Sequence, residues 1–157
     1  MRNRTMFSGP GLAYVYLSYG MHRLFNVVCE GVGSAVLIRA LRPLEGRELM
    51  VQRRGRESSL CNGPGRLTQA LGVKLSNDGH DLTGGDLTVS WGDPPGEIVA
   101  TTRIGITRGT ELPWRYLAYG DENVPVRPKT IEGRGLPTSW KGQRSKASRS
   151  RGRHSKG

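Results

Sequence analysis

The chain is poor in the residues that build metal sites and disulfide frameworks. Among its 157 residues there are two cysteines, Cys29 and Cys61. They form no CxxC pair and have no histidine at ligand spacing, so they read as two buried or inert thiols. His22, His80 and His154 are scattered, and no metal pattern follows from them. No apolar run approaches the ~20 residues that a membrane helix needs. The opening "MRNRTMF" lacks the apolar stretch of a signal peptide. A cytoplasmic location is the default expectation. No repeat recurs at a fixed period, and the length allows one domain with a modest core.

Acidic residues are also scarce. Against 24 Lys and Arg stand 13 Asp and Glu, giving a net charge of +11 and a pI near 10.5. The excess is uneven. From Pro128 onward nine Lys or Arg face Glu132 alone, which leaves +8 in that segment and +3 in residues 1–127. After Leu136 there is no Leu, Ile, Val, Phe or Met. The division expected is therefore a folded body over 1–127 and a basic low-complexity tail over 128–157 that cannot form a core and stays disordered. Clustered positive charge favours a polyanion through counterion release, and nucleic acid is the partner it implies. The bland alternative is a solvated tail that aids solubility.

Within the body, "YVYLSYGMHRLFNVV" (14–28) alternates apolar and polar residues, breaks at Tyr19-Gly20 and resumes. This predicts a β-hairpin with strands over 13–18 and 23–29 and a tyrosine at its tip. "SAVLIRAL" (34–41) is almost uniformly apolar, which predicts a central strand covered on both faces. Pro43 then opens a helix over roughly 44–55 whose end is basic. Asn62 reads as the N-cap of a second helix, with Pro64 in its first turn and Gly72 as its C-terminal cap. "DLTVSW" and "EIVATTRIGI" read as two further strands, and "PWRYLAYG" closes the body. The class expected is α+β, with strands outnumbering helices.

Three features bear on chemistry. Tyr14, Tyr16 and Ser18 share one strand face, beside a tip that carries Tyr19, Met21 and His22. Such aromatics either pack beneath a loop or, on a basic protein, stack on bases or wedge between base pairs. "NGPGR" (62–66) offers free backbone N–H groups and Arg66, which suit either plain capping or a phosphate seat. Arg39 interrupts an apolar strand; a buried guanidinium needs an acceptor, and a structural ion pair and a site role both supply one.

The blocks "RNRTMF…GPGLAYVYLSYGMH…FNVV…AVLIRALRPLEG", "LCNGPGRLTQALGV", "TRIGI" and "PWRY" together resemble the alkyladenine (3-methyladenine) DNA glycosylase family of base-excision repair, from Arg2 to about Gly120. The resemblance implies a single mixed domain with a curved antiparallel sheet and a protruding hairpin. It implies hydrolysis of the N-glycosidic bond of alkylated or deaminated purines in duplex DNA, without a metal or organic cofactor. A monomer acting on double-stranded DNA, with no membrane involved, is expected.

Residue by residue, the resemblance makes Tyr19 the wedge that fills the space of the extruded nucleotide, flanked by Met21 and His22. Tyr16 becomes the ring on which the flipped base stacks, and Asn26 the group that crowds the exocyclic amine of guanine. Arg39 holds the attacking water together with the backbone carbonyl of Ile104. Gly63, Gly65 and Arg66 lie at a DNA-facing helix start.

The family's general base is a glutamate in a segment upstream of the Arg-Asn pair, along with a second pocket tyrosine and a histidine. That segment is not among these residues, and nothing in the sequence places Glu30, Glu45 or Glu48 beside Arg39 as a substitute. The N-terminal part of the family fold is thus expected to be missing, and apolar sheet surface over 34–41 to be exposed. Either the true start lies further upstream, or the product is an inactive remnant that only binds damaged or distorted DNA. The basic extension departs from the family and could be a tethering arm or a frameshift product.

Overall fold

A computed structural model describes residues 3–93, 96–119, 121 and 123. Its strands are β1 (Ala13–Ser18), β2 (His22–Val28), β3 (Ala35–Leu37), β4 (Ile98–Thr101) and β5 (Arg115–Ala118), and its helices are α1 (Arg47–Arg54) and α2 (Pro64–Leu71). The class is α+β, and every strand pair is antiparallel. The strands form two sheets, β1-β2-β3 and β4-β5.

The β1–β2 register runs from Ala13 opposite Val27 to Ser18 opposite His22. Alternation then sorts the side chains between two faces. Ala13, Val15 and Phe25 turn inward onto Leu67 and Ala70 of α2, and Leu60, Cys61 and Leu82 complete this core. Burial raises the pKa of the Cys61 thiol, and its Sγ lies 3.9 Å from Met50 Sδ. Cys61 is thus a packing residue, and Cys29 is half-buried.

The free edge of β1 is covered by residues 78–82. Gly79 N–H donates to the Ala13 carbonyl, Ala13 N–H to that of His80, and Leu82 N–H to that of Gly11. Asp78 anchors this cover: one carboxylate oxygen accepts from Val15 N–H at 2.9 Å and the other from the Thr5 hydroxyl at 2.8 Å.

α2 has the predicted punctuation. Pro64 occupies the first turn, and Gly72 ends the helix at φ 73°, where Gly72 and Val73 N–H groups close on the carbonyls of Gln69 and Thr68. Its N-cap is Gly63, not Asn62. The Asn62 side chain is engaged otherwise, accepting from Arg66 Nη1 at 2.7 Å.

Three other expectations need correction. The apolar run 34–41 gives only a three-residue strand at the edge of its sheet, with Val36 55% exposed. It is not a central strand covered on both faces, because β2 lies on one side and no strand lies on the other among the described residues. "DLTVSW" is not a strand; Val89 N–H returns to the Leu82 carbonyl instead. The first helix starts at Arg47 rather than near residue 44, after Gly46 in the left-handed region. The predicted tail, 128–157, lies outside the described residues, as does the boundary at 127.

Candidate nucleic-acid interface and base pocket

The hairpin tip is built from an unusual backbone. Tyr19 has φ 50° and Gly20 φ 71°, and Met21 N–H closes the turn on the Ser18 carbonyl at 3.2 Å. Left-handed backbone suits glycine but costs another residue about 1–2 kcal/mol. Tyr19 is 90% exposed, so its own fold gives that ring almost no burial in return. Met21 beside it is also exposed. An aromatic in a strained, solvated position points to a partner outside the chain.

The base of the hairpin is fixed to α2. The His22 imidazole lies so close to Gly65 that a Cβ there would stand 3.3 Å from its Cγ and Nδ1. The Thr68 hydroxyl donates to the Arg23 carbonyl at 2.9 Å. The structure therefore brings His22, Gly63, Gly65 and Arg66 together at the α2 start, below the tip that carries Tyr19 and Met21.

The sheet face opposite the core holds a second group. Tyr14, Asn26 and Leu37 stand in one row across β1, β2 and β3. The rings of Tyr14 and Tyr16 stack with centroids 5.1 Å apart and planes 28° from parallel. Asn26, 6% exposed, donates its Nδ2–H to the Tyr14 carbonyl at 3.0 Å, which fixes the amide's orientation. Tyr16 is half-buried, so part of its surface stays open.

Arg39 follows β3 and walls a groove of about 270 Å³ with Leu37, Tyr116, Leu117 and Asp121. Its Nε is buried and has no hydrogen-bond partner among the described residues. Arg115 lies near enough that the Arg39 charge adds to burial in lowering its pKa. Nothing in the sequence singles out Asp121. Its carboxylate is bound by Arg42 at 2.6 Å and accepts from Asn123 N–H at 2.8 Å. Glu30, Glu45 and Glu48 do not line this groove, and neither does Ile104, which is exposed in the loop between β4 and β5.

Residues 1–122 match the methylpurine-DNA glycosylase family. The chain belongs to that family. Within it, a protein of Rubrobacter xylanophilus is 69% identical over 89% of this chain and 75% of its own length. One from Rhodopseudomonas palustris is 51% identical over 78% of this chain and 64% of its own. One from Carboxydothermus hydrogenoformans is also 51% identical, over 78% and 68%. Each carries the name "Putative 3-methyladenine DNA glycosylase". The chain thus spans about two thirds to three quarters of the length of these methylpurine-DNA glycosylase relatives. The Rubrobacter match covers more of the chain than residues 1–122 can supply, so part of the sequence beyond the family match has a counterpart in that relative.

Two contributors to these two groups of residues escape sequence reasoning. Alternation puts Tyr14 on the right face, but its stacking on Tyr16 and its carbonyl bond to Asn26 depend on cross-strand register. Asp121 reaches the Arg39 groove through a pairing with Arg42, 79 positions away, with no local signal.

Proposed function

We propose that this chain carries the duplex-opening and base-recognition surface of a DNA glycosylase that removes alkylated, 3-methyladenine-type, or deaminated purines. The observation that carries the reading is Tyr19: an exposed ring in strained backbone, on a hairpin braced by α2. An enzyme that acts on a base within a duplex must extrude it, at a cost of a few kcal/mol, and something must occupy the gap. Tyr19 is the wedge, with Met21 and His22 flanking it. Gly63, Gly65 and Arg66 offer backbone N–H groups and a cation to the phosphates.

The extruded purine stacks on Tyr16, whose ring is backed by Tyr14. An alkylated purine is cationic, and an electron-rich ring attracts it by roughly 0.5–2 kcal/mol. Asn26, locked by its bond to Tyr14, discriminates by crowding the amine of guanine. Arg39, with an uncommitted buried N–H, holds the attacking water; Ile104, the other holder that the resemblance implies, lies outside the groove that Arg39 walls. Hydrolysis through an oxocarbenium-like transition state also calls for a carboxylate near water and sugar. The resemblance assigns that carboxylate to a glutamate that is not among these 157 residues. Asp121 is already committed to Arg42 and Asn123.

The test measures binding and excision with the same chain on duplexes containing 3-methyladenine-type lesions or an abasic analogue. Preferential binding to lesioned over intact duplex, abolished in Tyr19→Ala, is expected, with little base release. Equal binding to both duplexes by the unmodified chain would overturn the wedge. Release at rates usual for an enzyme would show that a carboxylate of this chain serves as base. Binding without release is shared with a second reading, a protein that recognises damaged duplex without cleaving it, so base release is the result that excludes that reading.

A further inference from the structure

We propose that Arg54, the last residue of α1, and Arg56, just beyond its glycine cap, join Arg66 of α2 in a phosphate-binding track that holds the DNA strand beside the hairpin tip. The inference rests on the reading of Tyr19 as a duplex wedge and extends it to residues on a different helix.

The geometry starts with Gln69. Its side-chain oxygen accepts from Arg54 Nη1 at 2.5 Å, and its Nε2–H donates to the Arg53 carbonyl at 2.9 Å. These two hydrogen bonds to one amide set the Arg54 guanidinium over α2. Gln69 and Arg66 are three residues apart on that helix and therefore share a face. Gly65, under the His22 ring, lies four residues from Gln69 and adjoins the same face. A path thus runs from the hairpin base along the Gly65, Arg66 and Gln69 face of α2 to the end of α1.

Charge points the same way. Arg54 is held among positive neighbours: burial first, then Arg56 and Arg66, lower its pKa. None of the three forms an ion pair among the described residues; the ion pair there is Arg42 with Asp121. Glu57 adjoins Arg56 in the chain and makes no ion pair either. Gathering like charges is unfavourable unless an anion joins them, and duplex DNA supplies one charge per ~1.7 Å of axis. Arg53 shows what an ordinary helix-end arginine does here: its Nη1 donates to the Ala70 carbonyl at 3.1 Å, in the last turn of α2. Capping does not account for Arg54 or Arg56.

The test uses the full chain and a duplex bearing a tetrahydrofuran abasic analogue, with affinity followed by anisotropy from 50 to 200 mM salt. Each phosphate that the protein neutralises contributes about 0.9 to the slope of log K against log salt. Replacing Arg54 and Arg56 together by Gln should reduce the slope by about 2. The unmodified chain should then lose about tenfold more affinity over this salt range than the glutamine pair. The lysine pair should restore the slope. A glutamine pair with the original slope overturns the track, and so does a changed slope that lysine fails to restore, since that marks a structural role. Tyr19→Ala separates the two readings. It should abolish preference for the abasic duplex while leaving the slope unchanged; if preference survives in Tyr19→Ala, the wedge fails while the slopes still judge the track.

Discussion

The antiparallel pairs β1–β2 and β4–β5 have similar sequence patterns and different surroundings. In β1–β2 the strands are joined by three residues, one face lies on α2, and residues 78–82 cover the outer edge. In β4–β5 the strands are four residues long and joined through 102–114, and aromatics point outward: Trp114 and Tyr116 are each 60% exposed, against 8% for Tyr14. Arg103, itself half-buried, stacks over the exposed Trp114 ring at 5.5 Å. Alternation decides which residues share a face. What lies against that face decides whether they become core. The hairpin that presents Tyr19 is thus the firmly supported one, and a strained tip needs that support.

The comparison can be broken first in the cores. Leu67 is fully buried between α2 and the hairpin. Leu67→Ala should cost about 2–5 kcal/mol in denaturant unfolding. Leu117→Ala, on β5, should cost distinctly less, because its sheet has few layers around it. Equal losses would mean that the second sheet is as well supported as the first.

The next test concerns the cover of β1. Asp78→Ala removes the acceptor of Val15 N–H and of the Thr5 hydroxyl. Leaving a partly buried N–H unpaired costs about 1–3 kcal/mol. Faster amide exchange at Val15 and Ala13, with little change at Val99, is the expected outcome. Uniform acceleration would show that the two pairs unfold as one unit.

What can be read from the residues alone follows the same divide. The hairpin, its tip and the Pro64–Gly72 helix are legible because their signals are local: period-two alternation, a Tyr-Gly break, and proline and glycine at helix ends. Arg39 stands out because a charge interrupts an apolar run. That run reads as a central strand because uniform hydrophobicity does not reveal whether a neighbour exists on each side. "DLTVSW" alternates well, yet its backbone turns back to Leu82 rather than pairing as a strand. Asn62 has good capping chemistry, but Arg66 draws its oxygen away. The Asp121–Arg42 pair and the Tyr14–Tyr16 stack depend on register and on approaches across the chain, which no short stretch encodes.

A third prediction opposes stability to recognition within the better-supported hairpin. Tyr19 holds φ 50° without burial to offset it. Tyr19→Gly should therefore raise stability by up to about 1 kcal/mol, through relief of the left-handed backbone. The same variant should lose preference for lesioned duplex. A loss of stability would mean that the tyrosine ring packs on its own chain in solution, and the wedge would lose its main support.

The smallest effect lies where the two regions are tied together. Arg42, beyond β3, pairs with Asp121, beyond β5. The Asn123 N–H and side-chain amide, and then Arg42, hold the Asp121 carboxyl below the usual carboxylate range. A carboxyl whose pKa is lowered by folding contributes stability above its unfolded value, about 3.9, and loses it as pH falls through the folded value. Arg42 is largely exposed, so solvent screens the pair, and Asp121→Asn should cost no more than about 1 kcal/mol at pH 7. Stability of the two chains should converge as pH falls below about 4. A difference that persists in acid would assign the loss to altered packing around Asn123 rather than to the charge, and the tie between the sheets would then be one of shape.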